Sequence, residues 1–268
     1  MRRATIDALS FHVVMGALAG TTLIVLIGPT LVVLITSFTN SFSLKFPPPG
    51  YSVRWYVALI DAWQIQAAAL NSLEVALLCT ALSVALGTAA ALAIARSRSR
   101  LARALDALFM SPLVLPSLAF GLAALMFFSL IGVPLSFATL VIGHTVVGVP
   151  FVLRTTSASL QQLDPALLES SASLGAGGLY GFRRITLPLI RSGMLAGGFI
   201  AFMASFDNVP VSLFLSDART EMLPIRLWQI LENSLDVRAA AVAGVLILVT
   251  VVLVIVMERV SGLSRQMR

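Results

Sequence analysis

The feature that most constrains this chain is a series of apolar stretches, each long enough to cross a membrane as a helix. Hydrophobic residues make up 58% of the 268 residues and charged residues only 11%, whereas soluble domains carry about 25% charged residues. About 20 consecutive apolar residues span a bilayer as a helix. We therefore predict an all-α membrane protein with six spans, at 11–37, 68–95, 105–130, 136–153, 192–215 and 239–257.

The basic residues indicate which side each connecting segment faces. Cytoplasmic loops of membrane proteins carry an excess of Lys and Arg. If both termini are cytoplasmic, the outer segments hold only five of the 18 basic residues, which are Lys45, Arg54, Arg219, Arg226 and Arg238. This is the predicted orientation, and it explains the net charge of +6 without nucleic acid. The first apolar stretch is too long for a signal peptide, so we expect an uncleaved first span.

The segment between the fourth and fifth predicted spans carries helix signals of its own. Asp164 is a favourable N-cap residue, and Pro165 suits the first helical position. About two and a half turns follow, and Gly175 is suited to a left-handed C-terminal stop. A second short helical stretch is expected before Pro188, which precedes the next apolar run. We expect residues 156–190 to form a folded cytoplasmic hairpin that docks on another protein.

The spacing of residues within this segment resembles a family signature. Glu169 is followed by Gly175 six residues later, and nine residues then separate Gly175 from the run ITLP at 185–188. This pattern is similar to the EAA signature of ABC importer membrane subunits. Ser170 and Ser171 stand where that family often has two alanines, and both are small. The residues that the resemblance assigns to docking are Glu169, Ser170, Ser171, Ala172, Gly175, Ile185, Leu187 and Pro188.

The resemblance implies a type I ABC importer permease of the MetI-like fold in a bacterial inner membrane. In that family the hairpin is a coupling helix that seats on a separate ATPase subunit. The chain contains no G-x-x-x-x-G-K-[ST] loop, so another chain must hydrolyse ATP, and we expect no enzyme activity, cofactor or metal here. The implied partners are an ABC ATPase dimer, a second permease subunit (an identical copy or, as favoured, a related chain), a periplasmic substrate-binding protein and membrane lipid.

The same resemblance suggests how the chain is divided. It is best over residues 67–258, which we assign to the permease domain with its hairpin. Residues 1–66 are assigned to the first span with its outer loop, and residues 259–268 to a short cytoplasmic tail.

Asp207 is the acidic residue that lies deepest in the predicted spans, in the run SFDNVP at 205–210. A charge at mid-span costs roughly 2.5–3.5 kcal/mol on insertion scales, so it commonly faces a cavity or a partner. Unwound backbone with a carboxylate suits a passing cation; equally, Asp207 caps the next helix segment or pairs with an arginine. Glu74 lies near the outer end of the second span. The residues assigned to a substrate pathway are Phe206, Asp207, Asn208 and Glu74.

The SFDN segment, followed by VSLFLSD at 211–217 and LPIRLWQ at 223–229, narrows the resemblance. It is similar to the C-type permease of spermidine/putrescine importers, which reads S-F-D-D at this place. Asn208 replaces the second acid, and one carboxylate fewer attracts a polycation less strongly. The resemblance implies polyamine import, while opine-like compounds, phosphonates, ferric iron and other amines stay open as substrates.

Other classes of membrane protein fit less well. A secondary transporter commonly has matching broken helices in two halves, and only the SFDNVP segment has that character. A membrane enzyme needs clustered His, Asp or Glu, whereas the two histidines are far apart. We therefore interpret His144 as hydrogen-bonded packing and Cys79 as a small packing residue.

Overall fold

The computed structural model describes residues 2–97, 99–234 and 236–261, which are mostly helical. The helices, in chain order, are α1 (Arg2–Ser37), α2 (Arg54–Ala58), α3 (Trp63–Ala95), α4 (Arg100–Val114), α5 (Ser117–Leu130), α6 (Phe137–Gln161), α7 (Pro165–Ser173), α8 (Gly178–Gly181) with a π-helical turn (Phe182–Thr186), α9 (Leu187–Phe206), α10 (Val209–Leu215), α11 (Leu223–Ser234) and α12 (Val237–Ser261).

The predicted membrane architecture is confirmed for the described residues. Five helices are long and apolar enough to cross a membrane, namely α1, α3, α6, the continuous helix from Gly178 to Phe206, and α12. The bent pair α4–α5 meets the same criterion as a unit, which gives up to six spans.

The third predicted span, residues 105–130, is not one straight helix. α4 and α5 meet at a bend of 108°. Leu115, between them, has extended backbone (φ −73°, ψ 141°), because the ring of Pro116 disfavours helical backbone in the preceding residue. Pro116 also has no N–H to continue the helical hydrogen bonds. The prediction of a span over 105–130 did not include this bend, because average hydropathy does not register a backbone break inside an apolar run.

The fourth predicted span, residues 136–153, is present and continues further than expected, to Gln161. It begins with a capping box, in which Ser136 and Thr139 satisfy each other's backbone N–H groups. Pro150 lies inside α6 without ending it, as membrane helices tolerate when neighbours surround the freed carbonyl.

The helix after α7 is continuous from Gly178 to Phe206, so it includes Pro188. The fifth predicted span, residues 192–215, thus begins earlier than expected, and its helix ends at Phe206. In the π-helical turn, the N–H of Leu187 bonds to the carbonyl of Phe182. A proline ring clashes with the carbonyl four residues earlier in an α-helix, and the wider π turn makes room for it.

The described chain divides into two compact units. The first comprises the described parts of Met1–Trp63 and Ile230–Val251, and the second those of Gln64–Gln229 and Val252–Arg268. The domain boundaries predicted after residues 66 and 258 stay predictions. Residues 262–268 of the predicted tail lie outside the described residues.

The first unit has its own small core around α2. Trp55 is buried against Val237 and Ala241 of α12, and its indole N–H donates to the carbonyl of Ser41 at 3.1 Å. The guanidinium of Arg54 lies 4.7 Å from the Trp55 ring centre. These contacts fold the segment after α1 onto itself and fix its polar backbone.

In the second unit, glycines bring α6 close to both α3 and α9. A Cβ added at Gly87 of α3 would lie 2.8 Å from Cβ of Val152, and one added at Gly197 of α9 would lie 2.7 Å from Cα of the same residue. Contacts this short do not occur between real carbon atoms, so α6 packs directly against the two glycine surfaces. Small residues at helix interfaces allow this approach in membranes, where packing replaces the hydrophobic effect.

We expect Gly197→Leu to destabilise the second unit by about 1–3 kcal/mol, because the new side chain forces α9 away from Val152. Thermal unfolding of the purified protein in detergent measures the loss. Gly28→Leu is the control, since no heavy atom lies within 4 Å of that site on α1. Equal melting temperatures for the two variants would contradict the close packing of α6 and α9.

Candidate functional site

Helix α7 is closed at both ends by side-chain and backbone caps. The carboxylate of Asp164 accepts a hydrogen bond from the N–H of Ala166 at 2.9 Å, and Pro165 occupies the first turn. At the other end Gly175 has φ +85°, a left-handed conformation that glycine adopts without strain. Its N–H bonds to the carbonyl of Ala172 at 2.9 Å. The predicted caps of this helix are therefore confirmed.

The end of α7 is a complete Schellman motif, because the N–H of Ala176 also bonds to the carbonyl of Ser171 at 3.1 Å. After this reversal, α8 returns along α7, and Gly181 is buried beside the Leu168 side chain. We call residues 164–181 the α7–α8 hairpin. Its geometry is fixed by its own hydrogen bonds.

The α7–α8 hairpin exposes apolar side chains that sequence reasoning missed. α7 contains no buried residue. Leu174 is 89% exposed and Leu179 71% exposed, and Leu167 and Tyr180 are exposed beside them. The signal was available in the sequence, because leucines are unusual in a short polar loop. An exposed apolar patch of this kind is typical of a surface that contacts another protein.

The residues predicted to dock fall into two groups. Those from Glu169 to Gly175 lie on α7 or at its end and are exposed, except for the half-buried Ser171. Among the described residues the carboxylate of Glu169 accepts no hydrogen bond, and only its backbone carbonyl is used, by the Ser173 hydroxyl at 3.0 Å. Ile185 lies instead in the π-helical turn, and Leu187 and Pro188 are the first residues of α9, inside the long helix that begins at Gly178.

The other predicted site, at residues 206–208, is a break between two helices. α9 ends at Phe206, and Asp207 is its C-terminal cap residue. The side-chain oxygen of Asn208 accepts a hydrogen bond from the N–H of Val211 at 2.9 Å and so caps α10. Pro210 lies in the first turn of α10, where its missing N–H costs nothing. The cap is therefore Asn208, and the alternative that Asp207 caps this helix is wrong.

The carboxylate of Asp207 is exposed, and within the described residues it has neither a hydrogen bond nor an ion pair. The C-terminus of α9 and the N-terminus of α10 meet here with partial charges of opposite sign, so the negative charge of the site comes from the Asp207 carboxylate. The site is suited to a cation and disfavours an anion.

Glu74 is not joined to this site by any hydrogen bond or ion pair among the described residues. It is exposed on α3, which begins at Trp63 rather than at the predicted residue 68. Glu74 therefore lies about three turns into the helix, deeper than we expected.

Asp217, ten residues after Asp207 in the loop that follows α10, has a carboxylate that is hydrogen-bonded. Its carboxylate accepts hydrogen bonds from the Thr220 hydroxyl at 2.7 Å and from the N–H groups of Thr220 and Arg219, each at 2.9 Å. The Thr220 hydroxyl is the main cause that lowers the pKa of Asp217 below its usual value. The Asp217 carboxylate is hydrogen-bonded within its own loop, whereas the Asp207 carboxylate is available to a ligand.

His144 of α6 is buried beside the helix break, with 1% of its surface exposed. Its Nδ1 lies 2.9 Å from the hydroxyl of Ser205 on α9, and its Nε2 lies 3.3 Å from the hydroxyl of Ser212 on α10. The interpretation of His144 as hydrogen-bonded packing is confirmed. The sequence gives no signal for either partner, because both are more than sixty positions away.

Comparison with known proteins identifies the family. Residues 83–264 match the family described as binding-protein-dependent transport system inner membrane component. The spermidine/putrescine transport system permease protein PotC of Haemophilus influenzae is 26% identical over 231 residues, 86% of this chain and 90% of that protein. The putrescine permease PotI of Escherichia coli is 30% identical, covering 83% and 81%. The molybdenum permease ModB of Mycobacterium bovis is 32% identical, covering 74% and 80%.

Solved structures share the fold. A bacterial ABC transporter that imports the polysaccharide alginate matches with a TM-score of 0.70 at 13% identity, over 96% of this chain and 97% of that chain. The MetNI methionine ABC transporter, in an inward-facing form, matches with a TM-score of 0.61 at 16% identity, over 75% and 96%. The predicted MetI-like permease fold is confirmed.

Proposed function

We infer that this chain, which belongs to the family of binding-protein-dependent transport system inner membrane components, forms half of the pathway of an ABC importer for polyamines. Two relatives that match 86% and 83% of its length are named as polyamine permeases. The observation that carries the substrate class is the exposed carboxylate of Asp207 at the helix break, which has no partner among the described residues and whose negative charge favours a cation.

The α7–α8 hairpin is the surface that receives force from an ATPase subunit. Its capped ends make it a rigid element, and its exposed leucines can enter an apolar groove of a partner. Glu169 lies on the same helix with its carboxylate free for a basic group. In the topology favoured by the basic residues, both chain termini and this hairpin face the cytoplasm, the side on which ATP is available.

We expect Gly175→Asp to reduce transport at least tenfold while the protein still inserts into the membrane. A side chain at φ +85° is strained, so the Schellman motif opens and the α7–α8 hairpin loses its shape. Uptake of radiolabelled putrescine into cells measures transport, and immunoblotting of membranes measures insertion.

Gly177→Asp is the matched control for this change. Gly177 has φ −70° and is the N-cap residue of α8, a position that favours Asp, and no atom lies within 4 Å of it. Normal uptake by the Gly175 variant would refute the docking role, whereas equal losses in both variants would assign the effect to the added charge and not to the shape of the hairpin. Glu169→Lys tests the charge on the same surface and should also abolish coupling.

Partner composition is tested directly by co-purification with the ATPase, the second permease subunit and the periplasmic binding protein. The chain itself carries no ATPase site, so hydrolysis by the assembled complex should depend on the partner ATPase. We expect putrescine or spermidine, delivered by the binding protein, to stimulate hydrolysis. Stimulation by molybdate instead would favour the solute class named for the ModB relative.

We expect Asp207→Asn to raise the KM for putrescine roughly tenfold, because a charge-assisted contact is worth more than a neutral hydrogen bond. Vmax should change less, since the backbone of the break is capped by Asn208 rather than by Asp207. Uptake kinetics in vesicles with the assembled complex measure both values.

Two control variants accompany this experiment. Asp207→Glu keeps the charge and should stay within about threefold of the parent protein. Asp217→Asn removes an acid that is already occupied by Thr220 and should leave the KM unchanged. Unaltered kinetics for Asp207→Asn would remove this residue from the substrate pathway.

A further inference from the structure

One backbone hydrogen bond crosses the helix break, from the N–H of Asn208 to the carbonyl of Ser205 in the last turn of α9, at 3.3 Å. Asn208 satisfies the free N–H of Val211, and Pro210 needs no acceptor. The N–H of Asp207 bonds back to the carbonyl of Met203 at 3.2 Å. Because a single long backbone bond crosses the break, contacts from other helices contribute to the angle between α9 and α10.

Two kinds of contact reach α10 from its neighbours. Apolar packing comes from α5 and α6: a Cβ at Gly121 would lie 2.8 Å from the carbonyl oxygen of Pro210, and one at Gly143 would lie 3.1 Å from the Val211 side chain. Such packing limits approach but has little directional preference. Hydrogen bonds are directional, and His144 supplies one to each segment.

The His144 ring links the two sides of the break rigidly. Ser205 lies in the last turn of α9 and Ser212 lies within α10, and each hydroxyl bonds to a different ring nitrogen. Imidazole is planar, so the two hydroxyls are held at a fixed separation across Asp207 and Asn208. Ser205 and Ser212 are themselves buried, so no substrate reaches either hydroxyl, and this set is not a nucleophilic site.

We propose that His144 is a positioning residue for Asp207: its two hydrogen bonds to Ser205 and Ser212 fix the geometry of the helix break and thereby the direction of the Asp207 carboxylate. The effect on substrate rests on the proposed cation pathway, whereas the effect on the break does not. A histidine inside a membrane span is costly, and saturation of both its nitrogens offsets that cost.

The first readout is transport. A lost hydrogen bond of ordinary strength changes an equilibrium by about two- to tenfold. We expect His144→Ala, Ser205→Ala and Ser212→Ala each to raise the KM for putrescine about three- to tenfold in the assembled transporter, with Vmax within twofold. His144→Asn and His144→Gln each keep one of the two polar positions of the ring and should restore part of the loss.

Thr145→Val is the matched control. Thr145 is the next residue on α6 and is also buried, but its hydroxyl donates to the carbonyl of Val141 in its own helix at 2.6 Å. If the loss of any buried hydroxyl raises the KM, Thr145→Val should raise it too. If the KM rises only because the helix break has moved, Thr145→Val should leave it unchanged.

The second readout is the position of residue 207 without substrate. Cys79 is the single cysteine of the chain, so Cys79→Ala with Asp207→Cys carries one thiol, at the break. We expect the rate of its reaction with a membrane-impermeant maleimide to change at least threefold when Ser205→Ala or Ser212→Ala is added, and to stay constant with Thr145→Val. If His144→Ala does not assemble, Ser205→Ala and Ser212→Ala still test the proposal, because each removes one of the two hydrogen bonds.

The outcomes separate the two proposals. The role of His144 would be overturned if His144→Ala, Ser205→Ala and Ser212→Ala all kept maleimide rates and KM values within twofold of the parent protein. Equal shifts in Thr145→Val would also overturn it. A changed maleimide rate together with normal kinetics for Asp207→Asn would sustain the positioning role and reject the cation pathway. Changes in both the maleimide rate and the KM support the positioning role of His144 and the cation pathway at Asp207.

Discussion

Every backbone N–H and C=O at membrane depth needs a partner within the protein, because lipid offers none. This requirement decides where the chain bends. The two breaks are solved by extended backbone before Pro116 between α4 and α5 and by the Asn208 cap between α9 and α10, and a π turn accommodates Pro188 inside a continuous helix. The apolar packing of α6 then holds the capped segments together. The site at Asp207 exists because one of these breaks lies next to a carboxylate.

The sequence was sufficient for the spans and for α7 because both depend on local signals. Apolar length predicts a membrane helix, and Asp164 with Gly175 predicts where a short helix starts and stops. The bend at Leu115 was missed, although the ring of Pro116 was a local signal. The hydropathy of that stretch is uniform, so the span was assigned from its apolar composition and the effect of Pro116 on the backbone was not considered. Pro188 is the converse case, because a π turn accommodates a proline that ordinarily ends a helix.

The geometry of the two sites was less accessible from the sequence. Adjacent Asp and Asn are both good caps, and nothing in the run SFDNVP decides between Asp207 and Asn208. The structure gives the cap to Asn208 and leaves the charge of Asp207 unpaired. His144 was identified as packing, but its partners lie on helices that are distant in sequence. Their meeting depends on how α6, α9 and α10 pack in three dimensions.

The uninterrupted helix from Gly178 to Phe206 places the hairpin and the helix break on one mechanical part. Its 29 residues correspond to a rod of about 43 Å. Such a rod is a lever: a tilt of about 10° at the end near Gly178 displaces the end near Phe206 by about 7 Å, more than the width of a polyamine chain. In the proposed function, a push received at the α7–α8 hairpin reaches Asp207 along this one helix, so the same part of the chain carries the ATPase contact and the cargo contact.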